Sequence, residues 1–252
     1  MDPAGPESYG EAFADVYDEW YADVSDTEGT VAHLASQAAG RAVLELGIGT
    51  GRLALPLAAA GVAVSGIDAS PAMVARLAAK PGGDAIEVAV GDMADVQALA
   101  PPAGTSFGVV FAAFNTLFNL TDVTAQQRCL RGVAARLAPE GRLVVEANVF
   151  DPDPDPHEAV TVRSMEPGRV VLSVSRADPA AQTVTGQFVD LAHGEPVRLR
   201  PWSLRYASPE QLDDLAAGAG LVLDERRGGW RGEPLTEASP LHVSTYRLAG
   251  DR

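Results

Sequence analysis

Short apolar runs alternate with helical segments through the first 150 residues. Apolar residues dominate five runs, which is typical of strands buried on both faces of a parallel sheet: 43–46, 62–67, 86–90, 109–113 and 142–149. Apolar residues at helical spacing lie between them, and the segment 71–79 begins with Ser70 as a cap and Pro71 at its first position. Strands that alternate with helices through short connections predict an α/β fold with a Rossmann-like, doubly wound sheet.

The pattern changes to a period of two between residues 158 and 206. Three stretches show this alternation, 159–176, 183–192 and 196–207, and turn residues such as Pro167-Gly168 and His193-Gly194 divide the region. It predicts a three-stranded antiparallel β insertion after strand five. Residues 207–252 contain a helix and two further strands, the last antiparallel, which would complete a seven-stranded sheet. The insertion would then lie over the carboxyl ends of the strands, where such folds bind ligands.

Residues 43–69 read as a strand, a glycine-rich turn, a helix and a second strand that ends in Asp68. Dinucleotide-binding turns have the spacing G-x-G-x-x-G, but this chain has G-x-G-x-G, and Arg52 stands where the third glycine would be. Glu45, two residues before Gly47, would repel a pyrophosphate and attract an ammonium or sulfonium group. With a ribose held near Asp68, S-adenosylmethionine (SAM) meets both demands.

Four motifs in order resemble the class I SAM-dependent methyltransferases: ELGIGTGR, GIDAS, GDMADV and LAPEGRLVVEANVF. The resemblance covers nearly the whole chain. It implies that residues of the first three motifs bind the donor: Glu45, Gly47 and Gly49 at the methionine moiety, Asp68 at the ribose hydroxyls, Asp92 at the adenine amino group and Met93 beside the adenine ring. The alternative is that Asp68 and Asp92 only cap the helices that follow them.

The resemblance also implies a domain organisation and a substrate class. It divides the chain into a helical lid (1–40), a SAM-binding core (41–150), the insertion (151–206) and a C-terminal completion of the core (207–252). This layout is similar to aminosugar, lincosamide and glycine N-methyltransferase-like enzymes. The lincosamide type methylates the ring nitrogen of a proline or propylproline unit on an N-demethyl precursor. Aminosugar enzymes often have a histidine in the loop after strand four, whereas this chain has Asn119.

Four aromatic residues are concentrated near the N-terminus: Tyr9, Tyr17, Trp20 and Tyr21. They could simply pack as a lid on the core. Ring faces also attract a sulfonium donor and an amine acceptor, which favours a catalytic role for Tyr9 and Tyr17 and a cofactor contact for Tyr21.

The segment FNTLFNL follows strand four, where the resemblance places the methyl acceptor. Two amides beside two phenylalanines suit an apolar pocket with a few polar anchors. We therefore expect Phe118 to aim the acceptor, and Asn115 and Asn119 to bind it. The alternative is an asparagine-containing loop that satisfies its own backbone, with Phe118 in the core.

Charge and short motifs exclude several functions. The chain has 34 acidic and 19 basic residues and a formal net charge of −15, which disfavours nucleic acid and anionic membranes as partners. A small neutral or cationic amine is the expected substrate, a homo-oligomer is compatible with the sequence, and the lack of a secretory signal predicts a cytoplasmic location. The segment DPDPDPH (151–157) is interpreted as a solvated connection, since alternating prolines send neighbouring aspartates to different sides, and no metal is expected.

Three alternatives to an N-methyltransferase remain open at this point. An O-methyltransferase would need a base or metal near the acceptor, and the four scattered histidines supply neither. A nicotinamide-dependent dehydrogenase is opposed by Glu45 and by the glycine spacing. A non-catalytic SAM-binding protein would share every cofactor residue.

Overall fold

The computed structural model describes residues 5–22, 26–150 and 155–251. Its main feature is a seven-stranded sheet, with strands β1 Val43–Leu46, β2 Val64–Asp68, β3 Glu87–Val90, β4 Phe107–Ala112, β5 Leu137–Asn148, β10 Leu221–Arg227 and β11 Leu241–Leu248. The strands lie in the order β10-β11-β5-β4-β1-β2-β3. Strands β1 to β5 are parallel, and β11 is antiparallel to both of its neighbours. The predicted doubly wound sheet is confirmed.

Eight α-helices occur in the described residues: α1 Ser8–Phe13, α2 Tyr17–Trp20, α3 Thr27–Ala38, α4 Ala54–Ala59, α5 Pro71–Ala78, α6 Val96–Leu99, α7 Val123–Arg136 and α8 Pro209–Ala217. Helix α5 starts as its sequence predicts, because the Ser70 side chain accepts a hydrogen bond from the Met73 amide and Pro71 follows it. Short 3₁₀ helices span Met93–Asp95 and Thr116–Asn119.

The core lies on both faces of the sheet. All six residues of β4 are buried, and alternate strand residues belong to two separate apolar clusters. One cluster includes Leu130 and Val133 of α7, and the other includes Leu34 and Ala38 of α3. Helix α3 therefore packs on the sheet, while α1 and α2 lie near its carboxyl edge.

The insertion is a separate four-stranded antiparallel sheet, ordered β6-β7-β8-β9. Its strands are β6 His157–Glu166, β7 Arg169–Asp178, β8 Thr183–Ala192 and β9 Arg198–Arg205. The expectation of three strands is corrected, because the first alternating stretch folds back at Pro167-Gly168 and forms two strands. Gly168 has a φ of 86°, which a glycine adopts without strain. Across the described residues, no helix has the length and apolar character needed to span a membrane.

Candidate active site

A cavity of about 230 Å³ lies at the carboxyl ends of β1 to β4. Helices α1 and α2, the loops of the core and the insertion all contribute to its wall, whereas α3, which the predicted lid of residues 1–40 included, packs on the sheet. Ten of the residues singled out from the sequence line it: Tyr9, Tyr17, Tyr21, Gly47, Gly49, Asp68, Asp92, Met93, Asn115 and Asn119. Residues more than 100 positions apart along the chain thus meet around one site.

The glycine turn forms the floor of this cavity. Gly47 and Gly49 have φ angles of 66° and 55°, in the left-handed region that favours glycine. A Cβ atom at Gly47 would lie 2.5 Å from Cγ2 of Thr116, so a side chain there would collide with the loop after β4. The turn therefore packs closely against the loop after β4 and reaches the cavity without a side chain at either glycine.

Asp68 joins the glycine turn to the start of α5. One carboxylate oxygen accepts a hydrogen bond from the Gly49 amide at 2.8 Å, and the other accepts one from the Ser70 amide at 2.8 Å. Burial raises the pKa of Asp68, although these two backbone hydrogen bonds oppose the shift. Asp92 similarly accepts a hydrogen bond from the Ala94 amide at 2.8 Å. Both aspartates thus organise local backbone and also line the cavity, so a capping role does not exclude a ligand.

Glu45 is buried behind the glycine turn and does not line the cavity. Burial raises its pKa well above the ordinary value, against the opposing charge of Arg52 and a hydrogen bond from the Ala54 amide. Its Oε2 atom is buried and makes no hydrogen bond within the described protein. A buried carboxylate oxygen without a partner is costly, and a cationic group brought to the turn would relieve that cost.

The lid tyrosines form a connected group. The Tyr9 hydroxyl donates a hydrogen bond to the Tyr21 hydroxyl at 3.2 Å, and the rings of Tyr17 and Tyr21 lie 4.7 Å apart. Burial raises the pKa of Tyr17 to about 12, although Arg52 opposes the shift by its charge and a hydrogen bond. Burial also raises the pKa of Tyr9 well above its ordinary value. Both hydroxyls therefore remain protonated at neutral pH.

The loop after β4 has an unusual backbone. Phe114 and Asn115 have φ angles of 49° and 61°, which non-glycine residues adopt only when surrounding contacts impose them. Glu146 provides one such contact, because its Oε2 atom accepts a hydrogen bond from the Phe114 amide at 2.7 Å. The Asn115 side-chain oxygen accepts another from the Asn148 amide at 2.7 Å. The amide oxygen of Asn115 thus holds the loop, although the residue also lines the cavity.

The expectation for Phe118 is corrected by its position. Phe118 does not line the cavity and is fully buried in the core, where its ring lies 6.2 Å from that of Phe150. The 3₁₀ helix Thr116–Asn119 directs Leu117 and Phe118 into the core and leaves Asn119 at the cavity. Phe114, at the other end of the same motif, lines the cavity instead.

The insertion supplies aromatic residues that sequence reasoning missed. Phe188 on β8 and Trp202 on β9 line the cavity, and the Phe188 ring makes an edge contact with Phe13 at 5.7 Å. A Cβ atom at Gly186 would lie 2.5 Å from the Trp202 ring, so this glycine allows the indole to lie across β8. The alternation of apolar and polar residues along the insertion strands distinguished the two faces of this sheet, but it did not indicate which face covers the site.

Polar contacts connect α1 and α2 to the core and to the insertion. Glu11 of α1 accepts hydrogen bonds from the Ser70 hydroxyl at 2.7 Å and the Ala72 amide at 3.0 Å. On the insertion side, Arg163 donates a hydrogen bond to the Trp20 carbonyl at 2.8 Å, and its guanidinium lies 5.0 Å from the Tyr21 ring centre. The lid is thereby connected to both the core and the insertion.

The described residues contain no group of three or more histidine, cysteine, aspartate or glutamate side chains placed to hold a metal ion. Asp151 and Asp153 of the DPDPDPH segment lie outside the described residues. His157 is exposed, with Nδ1 3.2 Å from the Asp155 carbonyl oxygen.

Comparisons with known proteins agree with this geometry. Residues 43–141 match a family model described as a methyltransferase domain. The chain is 37% identical to the CcbJ methyltransferase from Streptomyces caelestis, with a TM-score of 0.88, over 98% of this chain and 100% of that one. It is 28% identical to cypemycin N-terminal methyltransferase from a Streptomyces species, over 93% of this chain and 95% of the relative. A SAM-dependent methyltransferase from Clostridium acetobutylicum shares the fold, with a TM-score of 0.78 at 12% identity, over 95% of this chain and 99% of that one.

The fold, the site and these relatives define one class. The chain belongs to the SAM-dependent methyltransferases, and SAM is its methyl donor. The site residues fit this donor, since Gly47 and Gly49 bring the turn to the cavity without a side chain and Glu45 keeps an unpartnered oxygen behind the turn. A nicotinamide-dependent dehydrogenase is therefore excluded.

Proposed function

We propose that this enzyme transfers a methyl group to an amine nitrogen of a small secondary metabolite. The observation that carries this proposal is the composition of the cavity wall. Among the described residues, six aromatic side chains line it, and its only ionisable groups besides the tyrosines are Asp68 and Asp92. A neutral amine carries its own lone pair and needs only to be positioned, whereas most hydroxyl groups need a base or a metal.

The donor residues carry over from the sequence analysis as part of this proposal. Asp68 would hold the ribose hydroxyls, Asp92 the adenine amino group and Met93 the adenine ring, with Gly47 and Gly49 at the methionine end. Glu45 would act on that end from behind the turn, and Tyr21 would contact the donor from the lid. When bound there, SAM supplies a methyl carbon made electrophilic by the sulfonium.

The chain's own residues would orient the acceptor. A neutral tyrosine oxygen can accept the N–H of an amine, which turns the nitrogen lone pair toward the methyl carbon. Tyr9 and Tyr17 are suited to this because their raised pKa values keep them neutral. Asn119 and the amide of Asn115 would anchor the rest of the acceptor, and the aromatic faces would stabilise the positive charge that develops on nitrogen. The proton then leaves the methylated nitrogen for water, so no enzyme base is required.

The finer proposal concerns the acceptor itself. The sequence resemblance supports the ring nitrogen of a proline unit on an N-demethyl lincosamide. The name of the cypemycin relative specifies N-terminal methylation, which supports a peptide amine as the second candidate. Both are amines attached to a larger, mostly uncharged molecule.

The test is a methyl-transfer assay with purified enzyme, radiolabelled SAM and matched acceptors. The panel pairs an N-demethyl lincosamide and a short peptide with analogues whose amine is replaced by a hydroxyl or blocked by acetylation. We expect label only in acceptors with a free amine, and mass spectrometry should place the methyl on nitrogen. Label in the hydroxyl analogue would instead support an O-methyltransferase. SAM binding without transfer to any acceptor would support a non-catalytic role.

A further inference from the structure

Three side chains outside the cavity wall connect the lid to the glycine turn. Asp18 lies in α2, Thr50 lies between Gly49 and Gly51, and Lys80 follows α5. One oxygen of Asp18, Oδ1, accepts hydrogen bonds from the Thr50 hydroxyl at 2.5 Å and from the Lys80 ammonium at 2.7 Å. The ammonium also donates to the Thr50 carbonyl at 2.7 Å. The three residues thus form a closed hydrogen-bonded ring.

The ring joins two parts of the site that both face the ligand. Tyr17 precedes Asp18 in α2, Tyr21 directly follows that helix, and Gly49 precedes Thr50 in the turn; all three line the cavity. Helix α2 has only four residues and no side-chain cap, so its own hydrogen bonds do little to fix its position. Contacts such as those of Asp18 therefore determine how the tyrosines lie relative to the turn.

The side chains of this hydrogen-bonded ring are suited to a contact that can break and form again. Thr50 is fully buried, whereas the side chains of Lys80 and Asp18 remain 29% and 45% exposed. Burial alone would raise the pKa of Asp18, but the hydrogen bonds from Lys80 and Thr50 lower it, so the carboxylate stays charged at neutral pH. Lys80 is the only lysine in the chain. A compact ammonium with three donors can serve Asp18 and the Thr50 carbonyl together, which a planar guanidinium does less readily.

We propose that Asp18 and Lys80 are positioning residues that latch the aromatic lid onto the glycine turn and thereby retain the methyl donor. Neither touches the cavity; both act through Thr50 and through the tyrosines on either side of Asp18. Opening the latch would let α2 move away from the turn and would release the donor or its product faster. Only the effect on turnover rests on the methyltransferase function proposed above.

The first experiment measures SAM dissociation by stopped flow, using tryptophan fluorescence, in wild type, Lys80→Met and Asp18→Asn. We expect dissociation to be at least threefold faster in each variant, and the double variant to be no worse than the stronger single one, because both changes break the same ring. Lys80→Arg should recover part of the loss. Arg176→Met is the matched control, since it removes an exposed ion pair with Glu158 on the insertion and should leave dissociation unchanged.

The dependence of the SAM dissociation rate on ionic strength distinguishes the latch from a purely structural role. Because the latch includes a partly exposed ion pair, raising ionic strength should accelerate SAM dissociation more in wild type than in Lys80→Met. Thr50→Val removes only the hydroxyl at nearly constant shape. Its SAM dissociation rate tests the latch if a charge variant does not fold. Wild-type dissociation rates in Lys80→Met, Asp18→Asn and Thr50→Val would overturn the latch. Absence of methyl transfer in wild type would overturn the proposed function and leave this test intact.

Discussion

Gly49 and Asp68 are joined by a hydrogen bond of 2.8 Å from the Gly49 amide to a carboxylate oxygen. They lie 19 residues apart, one in the glycine turn and the other at the end of β2. The bond fixes the turn against the residue proposed to hold the ribose. Loss of this carboxylate should therefore affect both the shape of the turn and its ligand.

Asp68→Ala should weaken SAM binding by about 1.5 to 3 kcal/mol, because it removes charge-assisted hydrogen bonds to the ribose. Titration calorimetry measures this loss, and Asp84→Ala, at an exposed aspartate beyond α5, is the control. Urea unfolding should confirm that the variant is folded. Unchanged SAM affinity in folded Asp68→Ala would remove Asp68 from the donor site.

Tyr17→Phe should lower kcat about tenfold with little change in SAM affinity, because the hydroxyl orients the acceptor while the ring keeps its packing. Tyr9→Phe should act in the same direction through its hydrogen bond to Tyr21. Steady-state kinetics with calorimetry separates the two quantities. Tyr206→Phe, whose ring stacks on Phe150 outside the cavity wall, is the matched control. Wild-type turnover in both lid variants would leave the aromatic segment with a packing role alone.

Phe118 and Phe188 should respond differently to truncation. Phe118→Ala should cost about 3 to 5 kcal/mol of unfolding free energy, because it empties a fully buried core site. Phe188→Ala should chiefly raise the acceptor KM, because this ring lines the cavity. Urea unfolding and acceptor KM, measured for both variants, distinguish the two effects. A raised KM in a Phe118 variant of normal stability would contradict the core assignment.

The pH dependence of turnover should follow the acceptor amine. Rate should rise with pH as the amine loses its proton, and the midpoint should move when an acceptor of different amine pKa is used. Tyr17 should add no further inflection to the pH profile of turnover, because its pKa is about 12. No histidine lines the cavity in the described part of the chain. A midpoint that stays fixed across acceptors would indicate an enzyme base.

Activity should also survive treatment with EDTA. Loss of activity with EDTA and its recovery on addition of magnesium would indicate a metal.

His242 should make the fold sensitive to mild acid. Burial lowers the pKa of its imidazole to about 4, so the unfolded chain binds a proton at a higher pH than the folded one does. The contribution of His242 to the free energy of unfolding is therefore fully present above about pH 6.5 and is lost as pH decreases toward 4, by at most about 3 kcal/mol. Urea unfolding at pH 7.5 and 5.0 should show a smaller loss in His242→Gln than in wild type. His193→Gln, at an exposed turn, should lose as much as wild type.

The donor half of the site could be predicted from the sequence because its signals are local. The glycine spacing, the apolar strand before it and the aspartate that ends the next strand lie within 26 residues, and the fold brings them together wherever this unit forms. Asp92 and Met93 were expected at the site only through the family resemblance, and both line the cavity after β3. Even there, Glu45 was expected at the methionine moiety, and only the structure shows that it is buried behind the turn and does not line the cavity.

The rest of the cavity wall depends on contacts that no local pattern contains. Within FNTLFNL, the hydrophobic pattern cannot distinguish Phe114 from Phe118. The backbone is left-handed at Phe114 and Asn115 and is held by Glu146 on another strand. With this backbone, Phe114 faces the cavity and Phe118 packs in the core. Likewise, Phe188 and Trp202 face the site only because the insertion sheet packs on α1 and α2. The sequence by itself determined the class of fold and the donor, because these follow from periodicity and spacing. Only the tertiary structure decided which other side chains line the cavity, because packing between segments distant in the chain selects the face that each one presents.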